Sequence, residues 1–374
     1  MKVLITGGHG FIGQNLVVRL RDIPEYDVSI FDRAHSDSEL EAMIQESDAI
    51  IHLAGVNRPV NPQDYLTINA GLTAKICSIT EKLKKCVPII YASSTQAKID
   101  NLYGQSKLSA EKYLGDLAKK NGNAVAVYRL PGVFGKWCKP NYNSVVATFC
   151  HNIANDLPIH VDDPEYLLKI VYIDDVIDTF IDLLNQSPAK GLSFNSIQTE
   201  YEIKLGELAE QIRIFAGSQK SLISEQVGTG FLRALYSTYL TYLPTSKFKY
   251  ILPCHSDERG VFVEMLKTKH TGQFSFFTAL PGITRGGHYH HTKTEKFLVV
   301  KGNACFRFRH ILTEEVFSID TSSKIPTIVE TIPGWSHDIT NNGDDELIVM
   351  LWANEIFDPD KPDTIMSLIE NEKA

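Results

Sequence analysis

From residue 1 to about 215 the chain alternates short apolar runs with stretches of helical periodicity. Residues 3–5, 28–31, 49–53, 87–92 and 124–130 read as buried strands, and 13–21 and 69–85 between them as helices. That alternation predicts an α/β fold with a doubly wound parallel sheet and right-handed helical crossovers. Beyond about residue 250 the period changes. Residues 273–280, 295–300, 304–309 and 346–352 are short and strand-like, separated by Pro-Gly, Gly-Gly, Lys-Gly-Asn and Asn-Asn-Gly turn signals. Closely spaced short strands predict an all-β sandwich or barrel. Between the halves, residues 230–243 are rich in Leu and Tyr and predict a helix ended by Pro244. The expected domains are therefore 1–243 and 244–374.

Composition narrows the class of protein. With 374 residues, 43% hydrophobic and 22% charged, the chain can bury a substantial core and is not a disordered or disulfide-stapled scaffold. The net charge of −8, with no block of like charge, lacks the footprint of a nucleic-acid partner. No apolar run approaches the ~20 residues of a membrane span, and residues 1–7 lack the features of a signal peptide. Cys77, Cys86, Cys138, Cys150, Cys254 and Cys305 stand singly, as buried thiols of a reducing compartment would. A cytoplasmic protein is expected.

The first strand runs into Thr6-Gly7-Gly8-His9-Gly10-Phe11-Ile12-Gly13, which opens a helix. Glycines there permit a tight turn and let backbone amides approach a pyrophosphate at the helix N-terminus. Asp32 ends the second predicted strand, 19 residues past the last glycine, where an acid grips a ribose 2′-hydroxyl. Arg33 follows and can instead hold a 2′-phosphate, so these residues leave NAD and NADP both open. Tyr103 and Lys107 lie four apart, on one face of a helix. A phenol has a pKa of ~10, and a neighbouring ammonium and a positive nicotinamide favour its phenolate. That suits it to pass a proton to or from a substrate oxygen. Ser93-Ser94-Thr95 closes the preceding strand, where a hydroxyl can bind the same oxygen.

On these motifs the stretch 1–215 resembles the extended short-chain dehydrogenases/reductases that act on nucleotide sugars, a Rossmann-type fold. His52-Leu53-Ala54-Gly55, Asn69, Arg129-Leu130-Pro131-Gly132-Val133-Phe134-Gly135 and Val171-Tyr172-Ile173-Asp174-Asp175-Val176 match it too. The resemblance implies Ser94 as the binder of the carbonyl oxygen, Tyr103 as proton donor and Lys107 as ribose-holding partner. It implies a cofactor site of Gly7, Gly10, Phe11, Ile12, Gly13, Asp32, Arg33, Leu53, Ala54, Gly55 and Asn69, with Tyr103 and Lys107. One departure is that Ser94 and Tyr103 are only nine residues apart, which predicts a more open cleft and leaves Ser93 and Thr95 as alternatives to Ser94.

The second half carries a metal-ligand spacing. His288, His290 and Glu295, after Gly282 and before Gly302, are followed by Pro333-Gly334, His337 and Asn341. Residues two apart on a strand face the same way. Three imidazoles and a carboxylate can surround zinc, iron, manganese or nickel. Strand alternation turns His291, the substitute for His290, the other way. The paired motifs resemble the cupin jelly-roll barrels over about 250–374. Asp257-Glu258-Arg259-Gly260-Val261-Phe262 and Arg285-Gly286-Gly287-His288 resemble the nucleotide-sugar epimerases among them. Such enzymes work beside a 4-keto group, which acidifies the proton on C3; a cation or donor stabilises the enolate. His255, His291 and Lys267 are the candidate bases.

The whole chain, including the terminal Phe357-Asp358-Pro359-Asp360-Lys361-Pro362-Asp363-Thr364, resembles the CapF type of bifunctional capsular polysaccharide enzymes. That resemblance implies C3 epimerisation of UDP-2-acetamido-2,6-dideoxy-β-L-arabino-4-hexulose by the cupin. Reduction at C4 with NADPH then gives UDP-2-acetamido-2,6-dideoxy-L-talose, towards UDP-N-acetyl-L-fucosamine. It also implies zinc and a homodimer. The alternative is a nucleotide-sugar reductase or epimerase with a non-catalytic, structural cupin. A dehydratase is disfavoured, because the strand-end Ser94-Thr95 is followed by Gln96 rather than an Asp-Glu pair.

Overall fold

The computed structural model describes residues 1–186, 188–252, 255–257, 260–262, 266–268, 272–355 and 360–369. The chain forms two compact units, Met1–Val145 with Leu167–Ile203 and Val146–Tyr166 with Lys204–Ala374.

The first unit is built on β1 (Lys2–Thr6), β2 (Asp27–Phe31), β3 (Ala49–His52), β4 (Ile89–Ser94) and β5 (Ala124–Leu130). A short parallel pair, β6 (Gly132–Phe134) and β7 (Leu167–Tyr172), precedes β8 (Gly191–Asn195). The main sheet is six-stranded and parallel, in the order β2-β1-β3-β4-β5-β8. Its central strands β1 and β3 are largely apolar because helices cover both faces: Val3, Leu4, Ile5, Ala49, Ile50 and Ile51 are fully buried. Helices α1 (Phe11–Arg21), α2 (Asp37–Glu46), α3 (Gly71–Lys82) and α4 (Leu102–Asn121) make the crossovers. Ser36 starts α2 with a capping box to Glu39, and Asn101 caps α4 by accepting the Gly104 N–H at 2.8 Å. The expected helix over 69–85 differs at its start: Tyr65–Ala70 is a π-helical turn that runs into α3. Such turns widen a helix by one residue and re-aim the side chains on it.

The second unit holds two five-stranded antiparallel sheets. One orders Lys249–Ile251, Thr327–Glu330, Glu295–Lys301, Leu347–Ala353 and Gln273–Ala279; the other Val316–Ser322, Asn303–His310, Trp335–Asn341, Thr284–Tyr289 and Ile365–Met366. Their inner faces meet. Phe297 of the first and Phe306 of the second have ring centroids 5.8 Å apart, and Phe306, Phe308, Ile328, Val349 and Trp352 are buried. The predicted helix over 230–243 is Gly230–Leu240.

The compact units divide elsewhere than the expected 243/244 boundary, and residues 204–243 pack with the β-rich unit. Leu222 joins Leu252 and Ile328 in one apolar cluster, and the Gln219 amide donates to Glu330 at 2.9 Å. Ser237 donates to the Thr292 carbonyl at 2.8 Å. The sequence boundary followed the change of period, whereas packing follows the apolar residues of the connector. Two thiols also differ from expectation: Cys86 is exposed and Cys305 half-buried, while Cys77, Cys138 and Cys150 are buried. Cys254, Glu258, Arg259 and Phe357–Pro359 lie outside the described residues. Among the described residues, no helix is long and apolar enough to cross a membrane.

A Cβ added at Gly13 would lie 2.2 Å from the Gly7 carbonyl oxygen and 2.7 Å from the Gly8 Cα, both backbone. Gly13→Ala is therefore expected to cost about 2–4 kcal/mol by forcing the turn open. Chemical denaturation measures the cost, and nicotinamide binding should weaken with it.

Candidate active site and metal centre

In the first unit the site gathers where β1, β3 and β4 end. Gly7, in the left-handed region at φ +75°, lets β1 turn against the next strand, and a Cβ there would sit 2.7 Å from the Ala54 backbone. Gly10 begins α1, its N–H donating to the Gly7 carbonyl at 2.9 Å, with Phe11 and Ile12 half-buried in the first turn. His52 is fully buried, bridging Thr6 Oγ1 at 2.6 Å and Thr73 Oγ1 at 2.8 Å. Burial, then the nearby Lys107 ammonium, push it down to about 3, so it is a neutral brace between strand and helix.

Asp32 is saturated by its own chain. It accepts the Ala34 N–H at 2.9 Å and faces His35 Nδ1 at 2.8 Å and His9 Nε2 at 3.1 Å. The Ala34 N–H and the His35 ring hold its carboxyl below the usual value. Arg33 is exposed beside it. His9 and His35 are additions that the glycine spacing does not reveal.

Leu53-Ala54-Gly55 leads to the active-site helix. The Asn69 side chain accepts the Val56 N–H at 2.7 Å and donates to the Val56 carbonyl and Ser106 Oγ, each at 3.0 Å. A Cβ on Gly55 would meet Asn69 Oδ1 at 3.0 Å and Lys107 Nζ at 3.6 Å. These cofactor-side residues and Lys107 therefore converge. Lys107 is only 6% exposed, and its Nζ donates to the Ala92 carbonyl at 2.9 Å. Burial brings its ammonium down to about 8, with Glu111 pulling the other way.

The three strand-end hydroxyl residues are distinguished by their partners. Ser93 is buried and donates to Glu111 at 2.6 Å, and Arg129 holds the same carboxylate at 2.6 Å and 3.0 Å. Ser94 Oγ instead accepts the Gln96 N–H at 3.1 Å and stands close enough to the Tyr103 phenol to lower its pKa. The expected lowering of the Tyr103 pKa by Lys107 is not met by the chain alone. Lys107 Nζ is turned to Ala92 and stands 6.0 Å from the Tyr103 ring centroid. Burial pushes the phenol up and Ser94 only partly offsets it, so Tyr103 is a protonated phenol ready to donate.

Tyr103 lines a cleft of about 470 Å³ with Asn57, Tyr65, Gln96, Asn101, Leu102 and Asn143. Four carboxamides and no charged side chain line it. Tyr65 comes from the π-helical turn, its ring centroid 5.6 Å from that of Tyr103 and its hydroxyl donating to the Asn57 carbonyl at 2.9 Å. Tyr65 and Asn57 have no sequence signal, whereas Gln96 stands out in the sequence only because it is not an acid.

In the second unit His288, His290, Glu295 and His337 come together, with one donor atom from each all within 4.8 Å of one another. Donors about 2.1 Å from one cation span at most ~4.2 Å, so four mixed N/O donors fit a divalent ion after movements of a few tenths of an ångström. Glu295 Oε2 lies 3.2 Å from His290 Nε2 and 3.4 Å from His337 Nε2. Its other oxygen faces the Lys293 ammonium at 3.0 Å. Burial raises the Glu295 carboxyl, but His290 and His337 outweigh that and hold it well below its usual range. Burial, then His337 and His290, push His288 down to about 3, leaving it a neutral ligand. Gly286, at φ +99°, sets the approach: a Cβ there would lie 2.9 Å from the His337 carbonyl oxygen.

His291 is outside the cluster, its ring against Tyr289 at 5.4 Å; both His290 and His291 lie just past the strand that ends at Tyr289. Asn341 is structural, its amide donating to the Ala279 and Asp345 carbonyls at 2.9 Å each. The side chains of His255 and Lys267 fall outside the description. Lys293 lies two residues before the strand that begins at Glu295, and the ligand spacing has no place for it.

Residues 3–195 match the NAD dependent epimerase/dehydratase family, and residues 255–365 match the polysaccharide biosynthesis C-terminal domain. The chain belongs to the NAD dependent epimerase/dehydratase family. Over 97% of its length it is 51% identical to the UDP-2-acetamido-2,6-beta-L-arabino-hexul-4-ose reductase of Pseudomonas aeruginosa, covering 98% of that protein. It is 26% identical to dTDP-4-dehydro-6-deoxyglucose reductase of Escherichia coli over 55% of the chain and 83% of that relative. Among solved structures, the capsular polysaccharide assembling protein CapF from Staphylococcus aureus superposes with a TM-score of 0.67 at 38% identity, covering 99% of this chain and 100% of that one.

The folded Lys107 ammonium lies near 8 and the unfolded one at its ordinary 10.5. Between those values the unfolded chain binds more protons, so this group makes stability rise with pH across that window. In Lys107→Met that contribution disappears. Its gain in melting temperature from pH 7.5 to 10 should be smaller than the unsubstituted chain's, read by calorimetry under matched salt.

Proposed function

We propose that the chain is a bifunctional nucleotide-sugar enzyme of capsular polysaccharide synthesis. The second unit, read as a zinc cupin, epimerises C3 of UDP-2-acetamido-2,6-dideoxy-β-L-arabino-4-hexulose. The first reduces C4 with NADPH to UDP-2-acetamido-2,6-dideoxy-L-talose, on the way to UDP-N-acetyl-L-fucosamine. The observation that carries this reading is the near-full-length likeness to the Pseudomonas aeruginosa reductase, joined to a buried Tyr103 phenol at a cleft with no charged lining.

The chemistry follows from the side chains. A bound nicotinamide supplies the hydride that C4 receives. Ser94 positions the 4-keto oxygen, and Tyr103, kept protonated by burial, donates its phenolic proton to that oxygen as the alcohol forms. The Lys107 ammonium then steadies the phenolate left behind. Dehydration needs an acid–base pair beside the sugar. The chain presents the Gln96 carboxamide in the cleft instead, which favours reduction. His9, His35 and Arg33 around Asp32 put basic side chains where a 2′-phosphate would lie, which favours NADPH.

In the second unit His288, His290, Glu295 and His337 would hold the cation, which when bound supplies positive charge for the oxygen of an enolising ketone. Lys293 adds a second buried positive charge beside Glu295. A base on one face of C3 and a proton returned on the other complete the inversion.

Tyr103→Phe tests the division of labour. Oxidation of NADPH by the 4-keto UDP-sugar should fall about 10²–10⁴-fold, while deuterium uptake at C3 from D2O continues. Loss of both activities in a folded variant would show that the two units do not divide the reactions in this way.

A further inference from the structure

The C-terminal segment carries a contact pattern that the reaction has not used. Asp363 sits far along the chain from the metal-ligand motif, yet one Asp363 oxygen accepts the His291 N–H at 2.8 Å. The other accepts the Thr292 N–H at 2.7 Å, the Lys293 N–H at 2.8 Å and the Thr292 hydroxyl at 3.0 Å. Three successive backbone amides pointing at one carboxylate form an anion nest. In the same residue, the backbone carbonyl accepts a hydrogen bond from His290 Nδ1. A carbonyl only accepts, so Nδ1 carries a proton, and Nε2, 3.2 Å from the Glu295 carboxylate, is the nitrogen turned towards the ligand cluster.

The segment beyond Asp363 lies against the strands that carry His288 and His337. Ile365–Met366 pairs antiparallel with the strand of His288, placing Met366 opposite His288. The Ser367 N–H donates to the Gly287 carbonyl at 2.7 Å, and Arg309 donates to Ser367 Oγ at 2.7 Å. Ser336, next to His337, donates to the Ser367 carbonyl. One short segment thus touches the neighbourhood of three of the four candidate ligands.

We propose that Asp363 is a positioning residue for the metal centre, and that metal capture and docking of residues 360–369 are linked. Asp363 fixes the 290–293 loop so that His290 presents Nε2. By reciprocity, a cation that favours the fixed loop must also tighten the docked segment. This rests on His288, His290, Glu295 and His337 holding a cation.

The test uses the full chain stripped of metal, with zinc as the probe. Zinc affinity is measured against a fluorescent chelator for the unsubstituted chain and for Asp363→Asn. Hydrogen exchange is followed over 290–293 and 361–369 with and without zinc. Asp363→Asn should bind zinc about 10–100-fold more weakly and show an altered visible spectrum when loaded with cobalt, a readout that loss of bulk stability alone would not move. In the unsubstituted chain, zinc should slow exchange in both segments. Equal zinc affinity and an equal exchange response in Asp363→Asn would overturn the inference while leaving the metal centre standing. No zinc uptake by the unsubstituted chain would overturn both. If the variant does not fold, the unsubstituted chain decides alone: zinc binding without slower exchange at 361–369 overturns the linkage.

Discussion

Removing an ammonium from water costs several kcal/mol unless other groups replace its hydration shell, and Lys107 is almost wholly buried. Its replacement shell is the Ala92 carbonyl at 2.9 Å and the Tyr91 ring face at 5.0 Å. The C-terminal end of β4 and the first turns of α4 must therefore stay in register. Asn101 caps α4 at that point, and Glu111, tied to Ser93 and Arg129, fixes it further along. The same constraint that lowers Lys107 raises Tyr103. Burial thus leaves a phenol that holds its proton beside an ammonium able to stabilise its loss. The second unit faces the opposite sign of the problem: Glu295 is buried and ionised, surrounded by His290, His337 and Lys293. Each unit keeps its charge where chemistry would use it.

What could be read from the sequence follows from how local each feature is. The glycine turn, the Tyr103–Lys107 pair and the His288–His290 spacing are set by neighbours within a few residues, and their periodicity carries them. Strand alternation is the only sequence reason to prefer His290 to His291, and His290 is the one gathered with His288, Glu295 and His337. Ser94 could not be separated from Ser93 by pattern, because the distinction lies in Glu111, 18 residues from Ser93. Tyr65 has no sequence signal because a π-helical turn has no clear periodic signature, and Asn57 has none because it lies in the irregular stretch before that turn. Asp363 is 72 residues from the His291 amide it accepts, and no local pattern reports such a contact. Packing of the connector was likewise hidden, since its apolar residues suit a helix end as well as a barrel wall.

The two sites differ in kind, and the difference bears on function. The reductase cleft has carboxamides, two phenols and no charge along its lining, suited to a neutral sugar ring whose one reacting oxygen needs a proton. The β-rich unit offers instead a cluster of buried ligands and a lysine, suited to negative charge developing on an oxygen. On the proposed function a ketone at C4 links them, since it is both the group to be reduced and the group that acidifies C3, and inversion, which needs the ketone, then precedes reduction.

Proton NMR of the 4-keto UDP-sugar with the unsubstituted, zinc-loaded chain in D2O, with no nicotinamide present, addresses this account most directly. Steady loss of the C3 proton signal at catalytic enzyme concentration is the predicted result, because enolisation needs only the β-rich unit. A C3 signal that persists while zinc is demonstrably bound would contradict it and leave a reductase joined to a structural metal domain.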